Sequence, residues 1–192
     1  ETTVFANEIQ PIVIVVMLDR SSSVALEYRH VQAAAEAFVA CLLPEDRARI
    51  GSFSQDIKVD PADFTTDHAE LVRILQEELL PMGPTPLWQA IDVGMTALTH
   101  QKGRRVVLVF TDGYDDPGLS SVRVSFKAVM ERARLEDAMA YGIGLRGRNP
   151  SRTGGGGFGY SGHSRGAMEQ QPDPDLAKLA GESGGGYFEL TG

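Results

Sequence analysis

The sequence has 192 residues, of which 42% are hydrophobic, so it can form one hydrophobic core without disulfides or metal ions to stabilise it. Its 26 acidic and 18 basic side chains give a net charge of -8, which disfavours nucleic acid and anionic membrane surfaces as partners. No apolar stretch approaches the roughly 20 residues that cross a bilayer. We therefore expect one domain over residues 1–192, a processed product or an excised domain because it begins at Glu1. The lone cysteine, Cys41, lies in an apolar run and is predicted to be buried.

The predicted elements alternate between strands and helices along the chain. Residues 12–18 and 105–111 are unbroken apolar runs, typical of parallel strands that are covered on both faces. Further strands are predicted at 47–54, 57–59, 138–144 and 187–190. The helical spacing of apolar residues predicts helices over 25–43, 67–79, 86–100, 121–135 and 173–180.

This alternation predicts an α/β fold, with an open, mostly parallel sheet of about six strands and helices on both faces. Strand 57–59 is predicted to be a short antiparallel edge strand that Pro61 ends, because proline cannot donate to a sheet ladder. Residues 146–172 are rich in Gly, Ser and Arg and too poor in apolar side chains to pack, so we interpret them as a surface insertion. The core is expected to cover about residues 12–190.

Acidic and hydroxyl side chains follow the two central strands. Asp19, Ser21 and Ser23 occupy alternate positions after the first strand, Asp112 follows the second, and Thr85 lies in the loop before the third helix. Such oxygen ligands suit a hard cation, and the chain lacks the Cys or His clusters of a softer metal site. Each residue alone is equally compatible with a turn or a helix cap. Three such turns at the ligand-binding end of a parallel sheet together predict a divalent metal site.

These residues resemble the metal-ion-dependent adhesion site of the von Willebrand factor type A family, which has the pattern DxSxS followed by a Thr and an Asp. The residues that match the pattern are Asp19, Ser21, Ser23, Thr85 and Asp112. The resemblance extends from about residue 12 to residue 190, and it is greatest to bacterial members. It includes FS at 53–54, DFT at 63–65, TPL at 85–87, GIGL near 142, DR at 46–47 and a last strand of Gly-Gly-Tyr-Phe.

The chain departs from the family pattern in three ways. Arg20 stands where a small residue is usual, and Pro84 stands where a second glycine is common, but neither removes a ligand. The charge of Arg20 is expected either to weaken metal binding or to help hold an acidic partner. The family's closing helix is expected to be absent, since the sequence ends at Gly192.

The resemblance implies a Rossmann-like domain that binds a partner and is not an enzyme. Mg²⁺ is the expected ion, with Mn²⁺ or Ca²⁺ as substitutes. Two carboxylates balance a divalent ion, and five protein groups leave a position open in an octahedral shell. We expect a Glu or Asp carboxylate of a partner protein to fill that position, without nucleic acid or membrane insertion, and we expect the chain to be a monomer.

Other functions stay open. Relatives of this family also serve as intracellular assembly or regulatory subunits beside ATPases, whereas an export signal before Glu1 in the full gene would indicate the adhesive or envelope role that we favour. A structural domain with a vestigial metal site is a further alternative. A hydrolase is disfavoured, because the GxSxG at 162–166 has no strand before it and no histidine after it.

Two further motifs have structural interpretations. A GxGxxG motif is formed by Gly142, Gly144 and Gly147, but no helix is predicted after it to bind a pyrophosphate. We therefore interpret these glycines as the flexible residues at which a strand ends and a loop begins. Asp115 and Asp116 are interpreted as part of a solvated turn. The alternative for this acidic pair is that it tunes the field of the metal or selects a basic partner.

Overall fold

The computed structural model describes residues 10–77, 82–113, 115–118, 122–145 and 174–190. The strands in these ranges are β1 (Ile12–Asp19), β2 (Arg47–Phe53), β3 (Ile57–Thr65), β4 (Arg104–Thr111), β5 (Ala138–Leu145) and β6 (Tyr187–Leu190). The helices are α1 (Tyr28–Ala40), α2 (His68–Glu77), α3 (Leu87–Leu98), α4 (Phe126–Leu135) and α5 (Pro174–Glu182). A 3₁₀ turn at Ser22–Val24 lies between β1 and α1.

The six strands form one sheet in the order β3-β2-β1-β4-β5-β6. All neighbours are parallel except β2 and β3, which pair antiparallel. This arrangement confirms the predicted Rossmann-like α/β fold with one antiparallel edge strand. The direction of winding reverses between β1 and β4, and ligands of open α/β sheets bind beyond the carboxyl ends of strands at such a point.

Alternate side chains of the central strands enter two hydrophobic cores, one on each face of the sheet. Val15 and Met17 of β1 belong to the core that α3, α4 and α5 cover. Ile14 and Val16 belong to the core that α1 and α2 cover. Because both faces are covered, β1 is buried along almost its whole length, as its unbroken apolar sequence predicts. None of the described helices is long and apolar enough to cross a bilayer.

The edge strand β3 is longer than predicted. It has 9 residues and continues through Pro61, so the prediction that this proline ends the strand was wrong. The register against β2 shifts between Ala48 and Ile50, and the pairing reaches Thr65 beyond the proline. Proline has no amide hydrogen to donate to a neighbouring strand, and an edge strand with an irregular register can accommodate such a residue. Arg49 reinforces this segment, because its Nε donates to the Pro61 carbonyl at 2.6 Å.

Helix starts and the cysteine also differ from the predictions. Helix α1 begins three residues later than expected, at Tyr28, because the 3₁₀ turn precedes it. Helix α4 begins at Phe126, so the prediction that it begins at 121 was wrong over residues 122–125. The Ser125 Oγ accepts from the Ala128 amide at 3.3 Å and caps this helix. Cys41 is exposed, so the prediction of a buried cysteine was wrong. It caps the carboxyl end of α1, and the following Leu42 supplies the buried side chain instead.

Asp46 joins the start of β1 to the loop between α1 and β2. Its carboxylate is buried, with only 5% of the residue exposed. One oxygen accepts from the Ile12 amide at 2.9 Å and the other accepts from the Leu43 amide at 2.8 Å. Asp46 therefore stabilises the end of the sheet where the parallel strands begin, opposite to their carboxyl ends.

Several predictions lie outside the described residues. These are the insertion at 146–172 with its GxSxG motif, the end of the second helix at 78–79 and the absence of a closing helix after 190.

Candidate metal centre

The turn after β1 brings Asp19, Ser21 and Ser23 together. The Ser21 amide donates to Asp19 Oδ1 at 2.8 Å, and the hydroxyls of Ser21 and Ser23 share a hydrogen bond of 2.9 Å. Asp19 and Ser21 are buried, whereas Ser23 is exposed. The three side chains therefore form one cluster that opens to solvent at Ser23.

The end of β4 adds a hydroxyl that the sequence analysis missed. Thr111 Oγ1 donates to Asp19 Oδ2 at 2.6 Å and accepts from the Gly113 amide at 3.0 Å. Because β4 pairs with β1, the last residue of β4 reaches the last residue of β1. The available signal was a hydroxyl residue at a strand end directly before Asp112.

The surroundings of Asp19 change the pKa of its carboxyl group. Burial raises the pKa of Asp19 to about 7, the hydrogen bonds from Ser21 and Thr111 oppose that rise, and the negative charge of Asp112 adds to it. A nearby cation favours the charged form of a buried carboxylate and offsets repulsion between two acids. In the described part of the chain no three His, Cys, Asp or Glu side chains group as metal ligands, so hydroxyl oxygens would complete any site here. The donor set fits a hard divalent cation.

The loop that contains Thr85 is joined to the turns on either side of it. The Ser22 amide donates to the Gly83 carbonyl at 3.1 Å, and the Gly83 amide donates to Ser22 Oγ at 3.0 Å. Thr85 and Asp116 exchange two backbone hydrogen bonds, both of 2.8 Å. These bonds connect the turn after β1, the Thr85 loop and the loop after β4. Hydrogen bonds thus link the three DxSxS residues to one another. The charge of Asp112 acts on Asp19. Thr85 is connected to the loop after β4 through its backbone hydrogen bonds to Asp116.

Gly83 is needed where the Thr85 loop meets the loop after β2. Its φ is +113°, and a Cβ there would lie 3.2 Å from the Gln55 amide nitrogen. We expect Gly83→Ala to lower the free energy of unfolding by about 1–2 kcal/mol, because alanine is strained at this φ and too close to Gln55. Urea unfolding of the purified variant and wild type measures the change.

Gly181→Ala is the matched control for Gly83→Ala. Gly181 lies in α5, and a Cβ there would meet no atom within 4 Å. Alanine in a helix is more favourable than glycine by up to about 1 kcal/mol, so this variant should be at least as stable as wild type. Wild-type stability in Gly83→Ala would show that the turn accepts a side chain.

Arg20 and the acidic pair have identifiable contacts. A guanidinium nitrogen of Arg20 donates to Ser52 Oγ at 3.3 Å, which directs this side chain toward β2. Asp115 is half-buried, and its Oδ1 accepts from the Trp88 amide at 3.3 Å near the start of α3. Asp116 is exposed. The solvated-turn interpretation therefore describes Asp116, whereas Asp115 also supports a helix.

The glycines of β5 have a packing role. A Cβ at Gly144 would collide with the ring and hydroxyl of Tyr187, and a Cβ at Gly142 would press on the same ring and on Leu176. The strand therefore needs small residues beneath Tyr187, a reason that the sequence interpretation did not include. Gly147, the third glycine of the motif, lies outside the described residues.

Comparison with known proteins identifies the family. The model for the von Willebrand factor type A domain matches residues 14–187, and the chain belongs to this family. Domains of this family are generally protein-interaction modules. No curated protein matches the chain.

Solved structures with the same fold include three bacterial proteins. An aerotolerance-related membrane protein from Bacteroides fragilis is 18% identical, with a TM-score of 0.68, 94% of this chain covered and 92% of that chain. The pilus adhesin SpaC from Lactobacillus rhamnosus GG is 10% identical, with a TM-score of 0.66 and coverage of 96% and 28%. The von Willebrand factor domain of the type V pili tip protein Mfa5 from Porphyromonas gingivalis is 12% identical, with a TM-score of 0.64 and coverage of 95% and 90%. At these identities the similarity shows the fold alone.

Proposed function

We propose that this chain is a metal-dependent protein-binding domain of the adhesion type. A single Mg²⁺, replaceable by Mn²⁺ or Ca²⁺, would be held by Asp19, Ser21, Ser23, Thr85 and Asp112. When bound, the ion would offer an open coordination position to a Glu or Asp carboxylate of a partner protein. The main support is the buried Asp19 carboxylate, which touches Ser21 and Thr111 and lies near a second acid.

The charge of the ligand set favours binding of an outside anion. Asp19 and Asp112 together balance a divalent ion, whereas the hydroxyls contribute dipoles without further negative charge. The hydroxyl of Ser23 lies at the exposed side of the cluster, so a partner can approach from there. A carboxylate is the protein group best suited to a hard cation in such a setting.

Binding fits the site better than catalysis. The described histidines are His30, His68 and His100, and none of them belongs to the turn after β1, the Thr85 loop or the loop after β4. His30 pairs instead with Glu27 near the start of α1. Histidine is the commonest general acid or base at neutral pH, so these segments lack the usual group for proton transfer. The name of SpaC, a pilus adhesin, agrees with a binding role.

Affinity capture tests the proposal. The immobilised chain is incubated with an extract of its source organism in Mg²⁺ or in EDTA, and the retained proteins are identified by mass spectrometry. We expect a specific set of proteins to be retained only in Mg²⁺, because their carboxylates need the ion. The same set retained in EDTA would contradict the proposal.

A pair of variants sharpens the capture experiment. Asp112→Asn removes one charge of the site, and we expect it to lose the Mg²⁺-dependent set. Glu131→Gln removes the same charge from an exposed position on α4, and we expect it to behave like wild type.

A further inference from the structure

A cleft of about 750 Å³ opens beside the candidate metal centre. Pro84 and Pro86, which flank Thr85, line it together with residues from the β2–β3 loop, α3 and the loop after β4. Gly118 also lines the cleft and packs closely on Pro84, since a Cβ at Gly118 would lie 3.1 Å from the Pro84 Cβ. The cleft is therefore continuous with the loop that presents Thr85 and is held by the same loop contacts.

Five of the ten described residues that line the cleft are apolar. Ile57 and Val93 line it, as do the prolines at positions 84, 86 and 117. Such walls favour the aliphatic part of a side chain. The volume exceeds that of one side chain, so a side chain can enter together with its backbone neighbours and water.

Two acidic side chains lie in or next to the lining of the cleft. Asp56, an exposed residue, is the one ionisable residue among the described residues that line it. Asp116 lies next to the lining, because its Oδ1 accepts from the Gly118 amide at 3.1 Å. A cationic group at this rim would gain from both acids, whereas an acidic group would be repelled.

We infer that the cleft receives a lysine or arginine side chain from the partner segment whose carboxylate approaches the metal centre. The aliphatic stem would pack on Ile57 and the prolines while the charged end meets Asp56 and Asp116 at the rim. This inference rests on the proposed function, because it assigns the second contact of the same partner. It gives the exposed acid of the 115–116 pair a role in selecting a basic partner.

Two synthetic peptides test the inference. Each has one Asp with a variable residue three positions before it and three positions after it, in an otherwise all-serine sequence with blocked ends. Three extended residues span about 10 Å, which suits neighbouring subsites. The variable residue is arginine in one peptide and norleucine, which keeps the stem without the charge, in the other. Binding is measured in Mg²⁺ by NMR shifts of the amides that line the cleft.

We expect the arginine peptide to bind about threefold more tightly than the norleucine peptide, as for a partly exposed ion pair. Asp56→Asn should reduce this preference toward unity, and added salt should weaken it. Glu131→Gln, the same charge change on α4, should keep it. Equal affinity of the two peptides for wild type, or no binding of either, would overturn the inference.

A magnesium titration separates this inference from the proposed function. Asp56 lies outside the three segments of the metal centre, so Asp56→Asn should bind Mg²⁺ with wild-type affinity. Absence of Mg²⁺ binding by the wild-type protein would refute the proposed function. An arginine preference that persists in EDTA would then still support a basic subsite in the cleft.

Discussion

Asp112→Asn is expected to weaken Mg²⁺ binding by about 100-fold, at the upper end of the ~10–100-fold cost of losing a supporting group around a metal site. The substitution keeps the size of the side chain but removes one of the two charges that would balance the ion. It also relieves the repulsion that Asp112 exerts on the buried Asp19 carboxylate, so it should not unfold the domain. Isothermal titration calorimetry with MgCl₂ measures the affinity.

Glu131→Gln is the control for the general effect of removing one negative charge from this acidic protein. This residue is exposed on α4, so its variant should bind Mg²⁺ like wild type. Thermal unfolding of both variants in EDTA verifies that each one folds. If Asp112→Asn bound Mg²⁺ with wild-type affinity, Asp112 would not be a ligand of the ion. The proposal that two carboxylates balance the ion and leave a coordination position open would then be contradicted.

Asp46→Ala is expected to lower the free energy of unfolding by about 2–4 kcal/mol. Hydrogen bonds to charged groups contribute about 1.5–3 kcal/mol each, and Asp46 accepts two of them from the amides of Ile12 and Leu43. Alanine leaves both amides without this acceptor and breaks the connection between β1 and the α1–β2 loop. Urea denaturation monitored by far-UV circular dichroism measures the loss.

Glu45→Ala provides the neighbouring control. Glu45 is exposed, so its removal should change the unfolding free energy by less than about 0.5 kcal/mol. A similarly small effect of Asp46→Ala would contradict the anchoring role of its carboxylate. Asp46 contacts Ile12 at the start of β1, and Asp19 lies at the end of that strand, roughly 23 Å away, so folded Asp46→Ala should keep its Mg²⁺ affinity.

These predictions separate the scaffold from the site. Asp46 stabilises the end of the sheet where β1 begins, and each of its oxygens accepts a hydrogen bond from a backbone amide there. Asp19 lies at the carboxyl edge, where burial and a second acid oppose its charge. A protein carboxylate in the first setting supports the fold. One in the second setting is stabilised when a cation arrives, and this is the physical basis of the proposed function.

The sequence by itself determined the fold class, and it predicted the five residues that we propose as metal ligands but not Thr111 beside them. The apolar runs of β1 and β4 identify strands covered on both faces, since such strands have no solvent-facing side to alternate with. Asp19 and Asp112 follow these two strands directly. Because parallel strands end at the same edge of a sheet, local patterns alone place both acids at one edge, and the order of the strands brings them together.

Only the tertiary structure decided the features that depend on distant neighbours. The continuation of β3 through Pro61 requires its edge position and the shifted register against β2. The exposure of Cys41 follows from where α1 ends, and the role of Thr111 follows from the pairing of β4 with β1. The cleft beside Thr85 exists because loops far apart in sequence pack on one another. Local propensity carries no information about such contacts, since their energy arises between segments that meet only in the folded chain.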